Sequence, residues 1–152
     1  DEAGLDIGTH SNTHPKMSSL SAEQMRSELK ISSDMITAVT GESVKFFRPP
    51  FGDYNDTLVK TAESLNLKTI QWDVDSLDWK NLSADEITKR VVNKVKNGSI
   101  VLFHNNGLHT AEALPTIIDA LKNQGYTFVR IGDLIYRDNY RIAVDGTQIS
   151  NS

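Results

Sequence analysis

The chain has 152 residues, 38% of them apolar and 24% charged, with a formal net charge of −4. That length accommodates one domain with a real core, and the acidic balance gives no electrostatic reason to bind nucleic acid or an anionic membrane surface. There is no cysteine, which excludes a thiolate nucleophile and any cysteine-based metal site, and no apolar run reaches the length of a membrane span.

Short apolar runs alternate with amphipathic stretches. The first run, Leu5-Asp6-Ile7, ends at Gly8. Ser21-Ala22-Glu23-Gln24 then reads as a capping box, in which the serine and the glutamine each satisfy one unpaired amide of a helix start. Met25, Leu29, Ile36 and Val39 follow at helical spacing, and Gly41 supplies the stop. A second run, Val44 to Phe47, is cut by Pro49-Pro50, since proline cannot donate to a ladder. A helix is expected from about Asp56 to Leu65, then a third run from Lys68 to Val74. Ser83-Ala84-Asp85-Glu86 is a second capping box, opening a helix to about Lys96 that Gly98 ends. The fourth run, Ile100 to Phe103, is apolar enough to be buried on both faces. A helix ending near Gln124-Gly125, with Pro115 in its first turn, and a fifth run, Tyr126 to Ile131, complete the series.

This repetition predicts βαβ units and a parallel sheet, an α/β fold. Residues 1–135 read as the folded part, and 136–152 as a polar tail in which Asp145-Gly146 suits a hairpin turn.

The chemically useful residues fall at strand ends. His10 and His14 follow the first run, Arg48 the second, Asp73, Asp75 and Asp78 the end of the third, and His104 closes the fourth. In parallel α/β proteins the carboxyl ends of strands converge on one rim where sites are built, so this distribution predicts a site. His10 and His14 lie four residues apart, within reach of one cation. Taken alone such a pair is more often a surface coincidence, but Gly8 before it and Pro15 after it argue for a fixed loop beyond a strand. Two imidazoles still need a third ligand, usually a carboxylate, and an open position for water.

In Phe47-Arg48-Pro49-Pro50-Phe51-Gly52 the bland reading is a turn with a solvated arginine. Two prolines fix the local dihedrals, however, which makes Arg48 a good tether for a carboxylate. Gly52 permits close approach of backbone to substrate, so a nearby amide could face an oxyanion. Trp72-Asp73-Val74-Asp75-Ser76-Leu77-Asp78-Trp79 places three acids between two tryptophans. A solvated loop is the default, although tryptophans flanking acids also suit sugar recognition. His104 could be a structural histidine bonded to backbone; beside an aspartate it is held protonated and suits general-acid work.

Together His10-Ser-Asn-Thr-His14-Pro, Arg48-Pro-Pro-Phe-Gly52, Asp75-Ser-Leu-Asp78-Trp79 and Leu102-Phe-His104 resemble four of the five motifs of the polysaccharide deacetylases, the NodB-homology carbohydrate esterases, in that family's order and spacing. The resemblance implies part of a distorted (β/α) barrel holding a divalent metal, commonly Zn2+. It implies His10 and His14 as metal ligands, Arg48 as the residue that orients a base aspartate, and the Phe51 amide as oxyanion donor. Asp78 would keep His104 protonated as general acid, and Trp79 and Leu102 would wall the acetyl pocket. The implied reaction is hydrolysis of N-acetyl groups on N-acetylglucosamine units of peptidoglycan or chitin-like oligosaccharides, outside the cytoplasm.

One motif is missing. The family's Thr-Phe-Asp-Asp-like segment supplies the base and the third ligand, and nothing before His10 matches it, because Asp6 lies within the leading strand. Since a barrel of this kind runs to roughly 200 residues or more, an N-terminally truncated domain is expected, without its first one or two βα units and inactive unless a second chain supplies them. A non-catalytic glycan-binding domain is the reading from another class.

Overall fold

The computed structural model describes residues 4–151. It divides into two compact units, Asp1–Gln71 and Trp72–Ser152. No helix among the described residues is long and apolar enough to cross a membrane.

The first unit is a βαβαβ arrangement: β1 (Gly8–Thr9), α1 (Ala22–Thr40), β2 (Phe46–Phe47), α2 (Asp56–Ser64) and β3 (Lys68–Thr69). The strands lie in the order β1-β2-β3 and all pair in parallel, with Gly8 opposite Phe46 and Phe47 opposite Thr69. Gly8 is required by that pairing, since a Cβ there would sit 2.9 Å from the Phe46 carbonyl oxygen. The expected capping box opens α1, where Ser21 accepts from the Gln24 amide and the Gln24 side chain accepts from the Ser21 amide. Gly41 closes the helix in the left-handed conformation at φ 76°, a backbone state that favours glycine.

Met25 and Leu29 bury the first half of α1 against Met17, Phe47, Leu58, Ala62 and Leu67. The apolar spacing does not continue as a buried face: Ile36 is half-buried and Val39 is exposed. Asn55 caps α2, its side chain accepting from the Leu58 amide at 2.9 Å.

The second unit contains β4 (Val74–Asp75), α3 (Ala84–Val92), β5 (Val101–Leu102), α4 (Thr110–Asn123), α5 (Ile131–Leu134), β6 (Tyr140–Ile142) and β7 (Gln148–Ser150). β4 and β5 pair in parallel, Val74 opposite Val101 and Asp75 opposite Leu102. The two helices that flank this pair pack through Ile87, Val91, Ala113, Ile117 and Leu121, with Val74 beneath them. β6 and β7 form an antiparallel hairpin, whose turn is held by the Thr147 amide donating to Asp145 Oδ1 at 3.0 Å.

Four local expectations need correction. The third run is not one strand: Lys68–Thr69 joins β2, whereas Val74–Asp75 joins β5 in a separate ladder. Only Leu102 of the fourth run is buried, so it is not covered on both faces. Pro115 lies inside α4, which starts at Thr110, and its missing N–H cannot donate to the carbonyl four residues back. The fifth run forms no strand. A strand exists by pairing; residues 126–130 belong to no ladder among the described residues, and Phe128 and Val129 are 52% and 54% exposed. In addition α3 stops at Val92, short of Lys96, and the first strand forms at Gly8–Thr9, past the Leu5-Asp6-Ile7 run, which is exposed and lies outside it.

Candidate functional site

In the first unit, β1 delivers His10 directly from its last residue, and the Arg48 amide donates to the Thr9 carbonyl at 3.0 Å, so the ends of β1 and β2 are tied together. His10 Nδ1 lies 2.6 Å from the Arg48 carbonyl oxygen. A carbonyl can only accept, so Nδ1 carries the proton and the lone pair of the neutral ring is on Nε2. Fixing one ring nitrogen on a backbone carbonyl is the arrangement that orients a metal-ligating histidine. The His14 ring stands edge-on to His10, with centroids 4.9 Å apart, and edge-on to Phe51 at 4.6 Å.

Between the two histidines the backbone is unusual. Ser11 and His14 have φ of 71° and 59°, a region that side-chain-bearing residues rarely adopt. Ser11 Oγ accepts from the His14 amide at 3.0 Å. Glu28, on α1, accepts from the Asn12 amide, the Thr13 amide and the Thr13 hydroxyl. Burial pushes the Glu28 carboxyl up, but the Thr13 hydroxyl and these two amides outweigh it and hold the pKa below its ordinary value of 4.5.

Arg48 is half-buried, and burial pushes its pKa down. Among the described residues no hydrogen bond or ion pair to its guanidinium is seen, a costly state for a buried charge. Phe51 and Gly52 both take left-handed dihedrals, at φ 60° and 66°. Gln71, just past β3, donates from Nε2 to the Gly52 carbonyl at 2.8 Å and steadies that turn.

In the second unit the three acids have different employments. Asp73 accepts from the Ser99 hydroxyl and the Ile100 amide at 2.8 Å each, fastening β4 to β5. Asp75 accepts from the Leu77 amide at 2.9 Å, turning the chain after β4. Asp78 is wholly buried. Its Oδ1 lies 2.8 Å from His104 Nδ1, and its Oδ2 accepts from the His104 amide at 2.9 Å and the Thr110 hydroxyl at 2.6 Å.

Burial pushes the Asp78 carboxyl up, yet bonds from the His104 amide, Thr110, the His104 ring and Ser76 prevail and hold it below its ordinary 3.8. An ionised carboxylate only accepts, so His104 Nδ1 is the protonated nitrogen and Nε2 is the nitrogen able to exchange a proton. Trp79 is 45% exposed and stands edge-on to His104 at 6.5 Å. Leu102 is buried on β5, two residues before His104.

The geometry thus groups His10, His14, Arg48 and Phe51 within the first unit, and Asp78, Trp79, Leu102 and His104 within the second. Glu28, Gln71, Gly107 and Thr110 escaped the sequence reading, because nothing in their neighbours distinguishes them from ordinary helix and loop residues. The two imidazoles fit two positions of a divalent-cation site, but among the described residues no three His, Asp or Glu side chains converge to complete one.

The family profile described as "Polysaccharide deacetylase" matches residues 1–70. A peptidoglycan-N-acetylglucosamine deacetylase from Bacillus cereus is 32% identical over 142 residues, which is 91% of this chain and 52% of that protein. A solved carbohydrate esterase family 4 pseudoenzyme from Bacillus anthracis aligns with a TM-score of 0.84 and 41% identity, covering 88% of this chain and 47% of the other. A family 4 carbohydrate esterase from Streptomyces lividans, solved with acetate, aligns with a TM-score of 0.76 and 38% identity, over 82% of this chain and 64% of that one. The chain therefore spans about half the length of the Bacillus cereus relative.

Proposed function

Because the chain belongs to the polysaccharide deacetylase family, we propose that the protein carrying it hydrolyses the N-acetyl group of N-acetylglucosamine units in peptidoglycan, outside the cytoplasm. Its βα units, within residues 1–135, are read as part of a distorted (β/α) barrel. Membership alone does not carry the activity, since one relative is described as a pseudoenzyme. The observation that carries it is the buried Asp78 carboxylate bonded to His104 Nδ1 at 2.8 Å.

That pair fixes the ring so that Nε2 holds and delivers the mobile proton. In the proposed reaction water adds to the acetamide carbonyl and gives up a proton to the base carboxylate that Arg48 would orient, the C–N bond breaks, and His104 Nε2 gives its proton to the departing nitrogen. Free amine and acetate result. His10 and His14 are read as two ligands of a divalent cation, with zinc favoured by their nitrogen donors. The chemistry supplied by that cation when bound is Lewis acidity toward the attacking water and the acetyl carbonyl.

Arg48 is read as the tether of the base carboxylate, which its half-buried guanidinium and rigid Pro49-Pro50 support suit. The Phe51 amide, in its left-handed turn, is read as donor to the oxyanion. Trp79 and Leu102 are read as the apolar wall for the acetyl methyl. The substrate identity rests on the Bacillus cereus relative.

Acetate release by the full-length protein, from peptidoglycan and from chitooligosaccharides, tests this reading. Wild-type protein should release acetate, and His104→Ala should lose roughly 10²- to 10⁴-fold in rate while Zn2+ binding survives. Sugar binding without acetate release by the wild type, or normal rates in the variant, would sink it.

A further inference from the structure

We propose that Glu28 is a positioning residue for the two histidines, holding the loop between them in the shape that lets both rings serve one cation. The inference deepens the metal reading of His10 and His14 and rests on it. Read along the sequence, Glu28 is one more acid on an amphipathic helix. In the fold its carboxylate spans 15 to 16 residues to reach the loop: Oε2 accepts from the Asn12 and Thr13 amides at 2.8 Å each, and Oε1 accepts from the Thr13 hydroxyl at 2.7 Å.

The loop needs such a partner. Residues 11 and 14 take left-handed dihedrals without being glycine, and a conformation of that kind persists only where its surroundings over-determine it. Inside the loop the Ser11 hydroxyl helps, accepting from the His14 amide at 3.0 Å. His10 is anchored at its own end by the Arg48 carbonyl. Among the described residues His14 has no comparable ring hydrogen bond, and its ring makes edge contacts with His10 and Phe51. The direction of the second imidazole is therefore set by the backbone of 11–14, and that backbone is set from outside by Glu28. Partners of this rank commonly change metal affinity 10- to 100-fold.

The test uses the full-length protein, with Co2+ as the probe followed by its visible absorption, and amide hydrogen exchange in the metal-free state. Glu28→Ala should weaken Co2+ binding roughly 10- to 100-fold and expose the Asn12 and Thr13 amides to exchange. Glu28→Gln keeps an acceptor oxygen for those amides and should stay within about threefold of wild type. Should Glu28→Ala not fold, Glu28→Asp, which retains charge but shortens the reach, takes its place with the same expectation.

His14→Ala separates the two levels of the argument. If it abolishes Co2+ binding while Glu28→Ala leaves affinity and exchange unchanged, the positioning role is overturned and the metal reading stands. Unchanged Co2+ affinity in His14→Ala overturns both. Equal losses in the Ala and Gln variants would assign the effect to charge and overturn the positioning role.

Discussion

A Cβ on Gly107 would lie 2.7 Å from Asp78 Oδ2 and 2.0 Å from Thr110 Oγ1. Neither neighbour can yield cheaply, because the Asp78 carboxylate is buried and the Thr110 hydroxyl is committed to it at 2.6 Å. Glycine at 107 is thus a steric requirement of the acid–histidine pair. Gly107→Ala should destabilise the protein by about 1–3 kcal/mol, the usual cost of overpacking a closed site, and should lower the rate of acetate release beyond any loss of folded material. Thermal unfolding and activity normalised to folded protein check the two effects.

Asp78→Asn should reduce kcat by about 10²-fold or more with little change in KM. The amide is nearly isosteric, so the pocket keeps its shape, but the carboxylate that fixes the His104 ring through Nδ1 is gone. Steady-state kinetics on one chitooligosaccharide suffice; a purely KM effect would reassign Asp78 to substrate binding.

The same carboxylate predicts an acid dependence of stability. Its folded pKa lies below the ordinary 3.8, so the unfolded chain takes up a proton more readily than the folded one. The stabilisation is then fully present above about pH 4 and is lost as pH falls through the folded value. Unfolding free energies measured between roughly pH 2 and 6 should show wild type losing more stability toward acid than Asp78→Asn does. Parallel curves would mean that the carboxylate is not preferentially ionised in the fold.

Ser21→Ala removes the acceptor for the Gln24 amide at the start of α1. It should cost about 1 kcal/mol of stability and leave both acetate release and Co2+ binding at wild-type levels. Because α1 also bears Glu28, this variant separates general weakening of the helix from loss of the loop clamp.

Local structure was legible where it depends on neighbouring residues. The capping box at Ser21–Gln24, the Gly41 stop and the Ser83–Glu86 box are satisfied within three or four residues, so the sequence states them outright. The ladder partners were not legible. Lys68–Thr69 and Val74–Asp75 belong to one apolar run and part company only because each finds a different neighbour, while Tyr126 to Ile131 reads as a strand and finds no ladder partner among the described residues.

The site divides the same way. Residue types and their placement after apolar runs already marked His10, His14, Arg48, Asp78 and His104 in the sequence, because titratable groups at strand ends are few and their spacing is fixed by the chain. The family resemblance had already paired Asp78 rather than Asp73 or Asp75 with His104, whereas that Glu28, Gln71, Gly107 and Thr110 hold these groups in place was decided only by tertiary structure. A hydrogen bond between residues 15 to 32 positions apart leaves no periodicity in the chain, because the distance it closes exists only once helix and strand have packed.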